Sequence, residues 1–271
     1  MRTAGPLYRV VAWFIHLVVT TFFRRVEVVG LDHVPADGPV IFAGNHPNAL
    51  LDGFVVAAMC GRRPVHFMAN AKLWRYRLMA VFLNAMGAVP VSPREEQSDA
   101  ANNDAAFARL FEVLEAGSSM GIFPEGVSHT GSQLTRLKTG TARIALAVAA
   151  RKKVHVTLIA CGLTYMHRHR FRSQALLYFS VPIVIDDEWL AAYAASEADT
   201  VRRLTAHIAE ALEKVTLNAP DWETLRFIHA ARRLYTPTSV RLTPGTYVAL
   251  SRRFAAALSR CRRRPHDSAA S

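Results

Sequence analysis

Between residues 26 and 220, short apolar runs punctuated by Gly and Pro alternate with longer stretches of helical period. The runs at 26–30, 39–44, 66–69, 88–91, 120–123, 156–163 and 175–185 predict strands. The stretches at 50–60, 73–86, 100–115, 139–150 and 198–215 predict helices. In the last of these Val201, Leu204, Ile208, Ala211, Leu212 and Val215 recur on one helical face. Strand and helix in alternation bury their apolar faces in few ways. The expected fold is α/β, with a mixed, largely parallel sheet flanked by helices over 26–220. No internal repeat interrupts it.

The two ends differ from this middle. Residues 7–23 read LYRVVAWFIHLVVTTFF, with Arg9 and His16 as the strongly polar members and no small-residue cleavage site. The apolar part, 10–23, is 14 residues, short of the roughly 20 that a simple membrane span needs. Residues 1–25 therefore predict a membrane-associated helix that dips into one leaflet or spans marginally, with Arg24 and Arg25 at headgroup level. A buried first helix is the bland alternative. Residues 221–264 predict a basic helical appendage and 265–271 a disordered tail.

Charge narrows the partners. Lys+Arg 33 against Asp+Glu 21 leaves +12, and 221–271 alone holds ten Arg and three acids. Such an excess calls for an anionic partner: nucleic acid, a phospholipid surface or a phosphorylated substrate. An apolar content of 51% excludes a disordered chain. Cys60, Cys161 and Cys261 are far apart and form no CxxC, which argues against a disulfide framework or a zinc site and for a reducing compartment. P-loop, dinucleotide-binding, zincin and α/β-hydrolase signatures are missing from the sequence.

Three segments carry chemistry. GNHPNALLDGF sets His46 and Asp52 after an apolar strand. Pro47 disfavours helical geometry at His46, so the imidazole falls in the strand-to-helix turn. A His bonded to Asp is what a general base needs, although such a pair is also a common helix cap or structural bond. GAVPVSPRE places Arg94 after a short strand, and a guanidinium fork suits phosphate, although a solvated arginine is the plainer reading. GIFPEGVSHTGSQLTRLKTGTARIAL runs a strand into Glu125 and Gly126, then enters a helix through Lys138 and Gly140. A glycine turn of this kind lets N–H groups converge on an anion, or simply connects strand to helix.

Taken together in this order and spacing, these segments resemble the glycerophospholipid acyltransferase family, which includes the glycerol-3-phosphate and lysophosphatidate acyltransferases. The resemblance covers roughly residues 26–186. It implies that His46 is the general base, Asp52 its orienting partner, and Arg94 the ligand of the acceptor's phosphate. Glu125 and Gly126 match the third family motif, at the acceptor. Lys72, in FMANAKLW, and Lys138 match positions that are commonly basic in the family. The implied reaction moves a fatty acyl group from acyl-CoA or acyl carrier protein to a hydroxyl of glycerol-3-phosphate or its 1-acyl form, in phospholipid synthesis. Neither metal nor other cofactor is implied. The expected partners are the donor, the acceptor and a phospholipid membrane at its cytoplasmic face, not nucleic acid.

Three features depart from the family pattern. Five residues, not four, separate His46 from Asp52. Val127-Ser128-His129 replaces the usual Thr-Arg-Ser, and LIACGLTY lacks the usual proline of the fourth motif. The F-P-E-G-x-S-H form is similar to a subgroup that includes fungal-type glycerol-3-phosphate/dihydroxyacetone-phosphate acyltransferases. A non-catalytic membrane lipid-binding protein is the competing reading.

Overall fold

The structure, a computed structural model, describes residues 5–61, 64–91, 100–237, 240 and 242–263. One sheet is built from β1 (Phe23–Val29), β2 (Val40–Gly44), β3 (Val65–Asn70), β4 (Val89–Val91), β5 (Ser119–Ile122), β6 (Val156–Tyr165), β7 (Ser173–Phe179) and β8 (Ile183–Ile185). Its order is β1-β7-β6-β2-β5-β3-β4, and β8 also pairs with β6. Among the described residues only the pairings of β6 with β7 and with β8 are antiparallel. This is the mixed, largely parallel sheet expected from the alternation of elements.

Helices cover both faces: α1 (Pro6–Phe22), α2 (Leu50–Met59), α3 (Arg77–Ala85), α4 (Ala100–Glu115), α5 (Gly140–Lys152), α6 (Asp187–Ala195) and α7 (Glu197–Val215). The period of two in β2 divides the core. Val40 and Phe42 join Ile15 and Val19 of α1 and Val55 and Val56 of α2. Ile41 and Ala43 join Ile144 and Val148 of α5 and Leu204 and Ile208 of α7. With both faces buried, β2 and β6 need apolar residues at nearly every position, so they read as continuous runs in the sequence.

Two expected elements divide. The helix expected over 73–86 is a short 3₁₀ turn, Ala71–Arg75, followed by α3. The strand expected over 175–185 is β7 and β8, and their registers on β6 differ by one residue. Ser180 absorbs that bulge: its N–H donates to Ala160 O at 2.9 Å, and its Oγ accepts from Ala160 N–H at 2.9 Å. Helix α6 was not expected; Asp186 caps it by accepting from Trp189 N–H at 3.3 Å.

Helix α1 buries Ile15 and Val19 but leaves Leu7, Val10, Trp13, Phe14 and Leu17 between 45% and 65% exposed. It is therefore neither a buried helix nor a free one. No helix among the described residues is long and apolar enough to cross a membrane. At the other end, α8 (Trp222–Tyr235) and α9 (Pro244–Arg263) pack on one another, and α9 meets β1 and β7. Glu27 of β1 anchors α9 by accepting from Thr243 Oγ1 at 3.1 Å and from Gly245 N–H at 3.2 Å. Arg232 is buried with its guanidinium 3.7 Å over the ring of Tyr247, so part of the basic appendage is core. The tail expected at 265–271 lies outside the described residues.

Candidate active site

Helix α2 leaves β2 toward one face of the sheet, and α5 follows β5 onto the other. Since β2 and β5 are parallel neighbours, the chain parts above their carboxyl ends. A crevice opens at such a switch point. His46 lies two residues beyond β2, and Phe123–Pro124–Glu125–Gly126 follows β5 directly.

Asn45 fixes the approach to His46. Its amide continues the β2–β6 ladder, donating to Leu163 O at 3.0 Å and accepting from Leu163 N–H at 2.7 Å. His46 Nδ1 then meets Asp52 Oδ2 at 2.8 Å. The ring stacks on Phe123 with centroids 4.0 Å apart and planes 8° from parallel. Its other nitrogen, Nε2, has no protein partner among the described residues, and the side chain is 19% exposed. One nitrogen is oriented; the other faces outward from the pair.

The long His-to-Asp spacing closes through Ala49, which takes φ 47°. That left-handed geometry is strained for a residue with a Cβ. Asp52 falls in the first turn of α2, and its Oδ2 also accepts from Asn48 N–H at 2.7 Å. It therefore ties down the turn before the helix and orients the histidine at once. Tyr165 donates its hydroxyl to the remaining oxygen, Oδ1, at 2.7 Å. Burial, then the adjacent Asp52 charge, pushes the Tyr165 phenol well above its ordinary pKa, so it stays a donor.

The third motif holds this turn. Glu125 is buried; Oε1 accepts from His46 N–H at 3.0 Å, and Oε2 accepts from Thr135 N–H and Oγ1, each at 3.0 Å, and pairs with His129 Nε2. Burial opposes its ionisation but is outweighed by the bonds from His129, Thr135 and His46, which hold its carboxyl below the usual value. Ser128 Oγ accepts from Ala49 N–H at 3.0 Å, and His129 N–H donates to His46 O at 3.1 Å. Arg168 Nη1 braces the far side by donating to Pro47 O at 3.1 Å. Two departures from the family pattern thus meet: the longer turn is tied down by the altered residues after Gly126.

Lys138 lies across Gly126, where a Cβ would come within 2.6 Å of Nζ, and its N–H donates to Pro124 O at 2.8 Å. Gly126 itself has φ 75°. Lys72, exposed, follows β3 at the same carboxyl edge of the sheet. Arg94 lies outside the described residues. Reading the sequence alone missed Asn45, Ser128, His129 and Tyr165. All four lie in quoted segments, Tyr165 as the last residue of LIACGLTY; its partner is 113 residues away, so its role gave no local signal. Among the described residues no group of three or more His, Cys, Asp or Glu gathers as a metal site.

A His–Asp pair with its carboxylate buried at the carboxyl edge of such a sheet, backed by F-P-E-G, is the arrangement expected of an acyltransferase-type site. The Acyltransferase family model matches residues 25–163, and the chain belongs to that family. It is 44% identical over 153 residues to glycerol-3-phosphate O-acyltransferase 2 of Saccharomyces cerevisiae, a match over 56% of this chain and 21% of the yeast protein. It is 29% identical over 164 residues to the 1-acyl-sn-glycerol-3-phosphate acyltransferase of Borreliella burgdorferi, covering 60% of this chain and 62% of that one. The chain thus spans about a fifth of the yeast relative and less than two thirds of the bacterial one. The crystal structure of PlsC, the 1-acyl-sn-glycerophosphate acyltransferase of Thermotoga maritima, superposes with a TM-score of 0.52 at 17% identity, over 76% of this chain and 80% of that one. The fold is shared.

Proposed function

We propose that this chain transfers a fatty acyl group from an acyl thioester, acyl-CoA or acyl carrier protein, to a hydroxyl of glycerol-3-phosphate or 1-acyl-glycerol-3-phosphate in phospholipid synthesis. The observation that carries this reading is the 2.8 Å contact between His46 Nδ1 and the buried Asp52, which leaves Nε2 as the basic nitrogen. Asp52 fixes the tautomer and stabilises the imidazolium. His46 Nε2 takes the acceptor's hydroxyl proton as the oxygen attacks the thioester carbonyl. The tetrahedral intermediate then expels the thiolate, which recovers the proton. Asn48 Nδ2, buried and without a partner among the described residues, is a candidate donor to the oxyanion. No metal or further cofactor enters this scheme.

Arg94 holds the acceptor's phosphate, with Lys72 and Lys138 adding positive charge at the same edge. Glu125 and Gly126 act one step back in this reading. The Glu125 carboxylate accepts from His46 N–H and from Thr135 and pairs with His129, so it holds the turn that carries His46, which supports a positioning role. The catalytic unit is 26–220, and the chain sits on the cytoplasmic face of a membrane through the exposed apolar side of α1 and its basic carboxyl-terminal helices.

The test is to offer purified protein in lipid vesicles each pairing of acyl-CoA or acyl carrier protein with labelled glycerol-3-phosphate or its 1-acyl form, and to identify the lipid made. A labelled lysophosphatidate or phosphatidate is expected. Acyl-thioester hydrolysis alone, or no turnover with any pair, contradicts the reading.

A further inference from the structure

The segment between β6 and β7, residues 166–172, reads MHRHRFR. Because β6 runs parallel to β2, this loop emerges at the same edge as His46. Arg168 points to the Pro47 carbonyl. The rest of the loop faces β1 and the start of α9, where Arg24, His167, Arg170, Phe171, Arg172 and Tyr247 line much of a pocket of about 420 Å³.

The pocket gathers positive charge without an internal partner. No acidic residue lines it, and among the described residues no carboxylate pairs with Arg24, Arg170 or Arg172. Glu27, three positions along β1 from Arg24, is taken by Thr243 and Gly245. Three guanidiniums around one cavity repel one another unless an anion fills it. The backbone enforces the arrangement: Arg172 takes φ 60°, pinned by its N–H donating to Phe22 O at 2.7 Å, and Ser173 Oγ accepts from His167 N–H at 3.1 Å. A left-handed arginine is strained, and such strain concentrates at ligand clamps.

Beside the charge lies apolar surface. Phe171 is 64% exposed and stands edge-on to Phe22, the last residue of α1, at 6.1 Å. Phe22 packs against the core beneath α1, so the exposed apolar surface at the pocket is the ring of Phe171. An arginine fork matches phosphate oxygens, and an apolar rim matches acyl chains. We propose that this pocket binds the phosphate headgroup of an anionic phospholipid, apart from the crevice at His46. The proposal rests on the membrane reading of α1 and extends it by a headgroup site.

The test measures flotation of the purified full chain with vesicles of phosphatidylcholine alone and of phosphatidylcholine with phosphatidylglycerol. The variant is Arg170→Ala with Arg172→Gly, since glycine keeps the left-handed backbone. Arg151→Ala, a single-charge control, removes one positive charge from α5 at the opposite end of the sheet. Anionic vesicles are expected to bind wild type more tightly, with the double variant losing about tenfold or more, a few-fold for each arginine. Its binding to neutral vesicles should not change and its melting temperature should not fall, Arg151→Ala should match wild type, and excess inorganic phosphate should not displace the protein beyond matched salt. The headgroup site is overturned if the double variant keeps its anionic preference, if Arg151→Ala loses as much, or if inorganic phosphate competes specifically. Absence of wild-type binding to either vesicle overturns the membrane reading as well.

Discussion

Tyr165 and His46 share one carboxylate: the phenol donates to Asp52 Oδ1 at 2.7 Å, and the imidazole holds Oδ2 at 2.8 Å. Tyr165 comes from the end of β6 and His46 from just past β2, so the neighbouring strands fix both ends of the contact. Tyr165→Phe removes the donor and leaves a buried oxygen unsatisfied. The expected loss of stability is about 1–3 kcal/mol. Turnover should fall by roughly tenfold, the equivalent of about 1.4 kcal/mol, with both KM values unchanged because Tyr165 acts through Asp52. Steady-state kinetics and urea unfolding on one preparation check this; raised KM values with kcat intact would place Tyr165 at the substrate instead.

Ala49→Gly tests the strained turn. At φ 47° a Cβ is unfavourable, so glycine should stabilise the fold by roughly 1 kcal/mol while activity stays within about twofold. A lower melting temperature would show that the turn is not strained at Ala49.

Glu125→Gln tests the support beneath His46. The native carboxyl is held below its ordinary pKa, so folding binds fewer protons than unfolding does as acid is added. Its stabilisation is then present above the ordinary carboxylate value, about 4.3, and is lost as pH falls through the lower folded value. The variant should be less stable than wild type at neutral pH by about 1.5–3 kcal/mol, with the two curves converging in acid. Urea midpoints between neutral pH and about pH 3 give the comparison; parallel curves would remove the assigned role.

Gly162→Ala tests how β6 meets α7. A Cβ there would stand 2.1 Å from Val215 O, a backbone atom with little freedom to move. The variant should lose about 2 kcal/mol or more, or fail to fold. Wild-type stability would contradict this close approach. The same contact gives a physical reason for glycine, rather than a branched residue or proline, in this stretch of the chain.

Much of this was legible in the sequence. The strands at the heart of the sheet read as apolar runs because both their faces are buried, and the His46–Asp52 pair lies within one short segment. What escaped depended on partners far along the chain. Asn45 finds Leu163 at a separation of 118 residues and Tyr165 finds Asp52 at 113; only the β2–β6 register joins them. The bulge at Ser180 was hidden because a one-residue shift leaves hydrophobic alternation almost intact. The placing of Glu125 at the acceptor came from its motif; its protein partners His46, His129 and Thr135 emerge from the fold.

The central claim is that His46, held by Asp52, removes the acceptor's proton. The most direct measurement is the turnover number of purified His46→Ala beside wild type, with melting temperatures recorded for both. Because the side chain makes its hydrogen bond at the carboxyl edge of the sheet and not in either core, the variant should stay folded. Its kcat should fall by about two to four orders of magnitude. A folded His46→Ala protein that turns over near the wild-type rate would contradict the account.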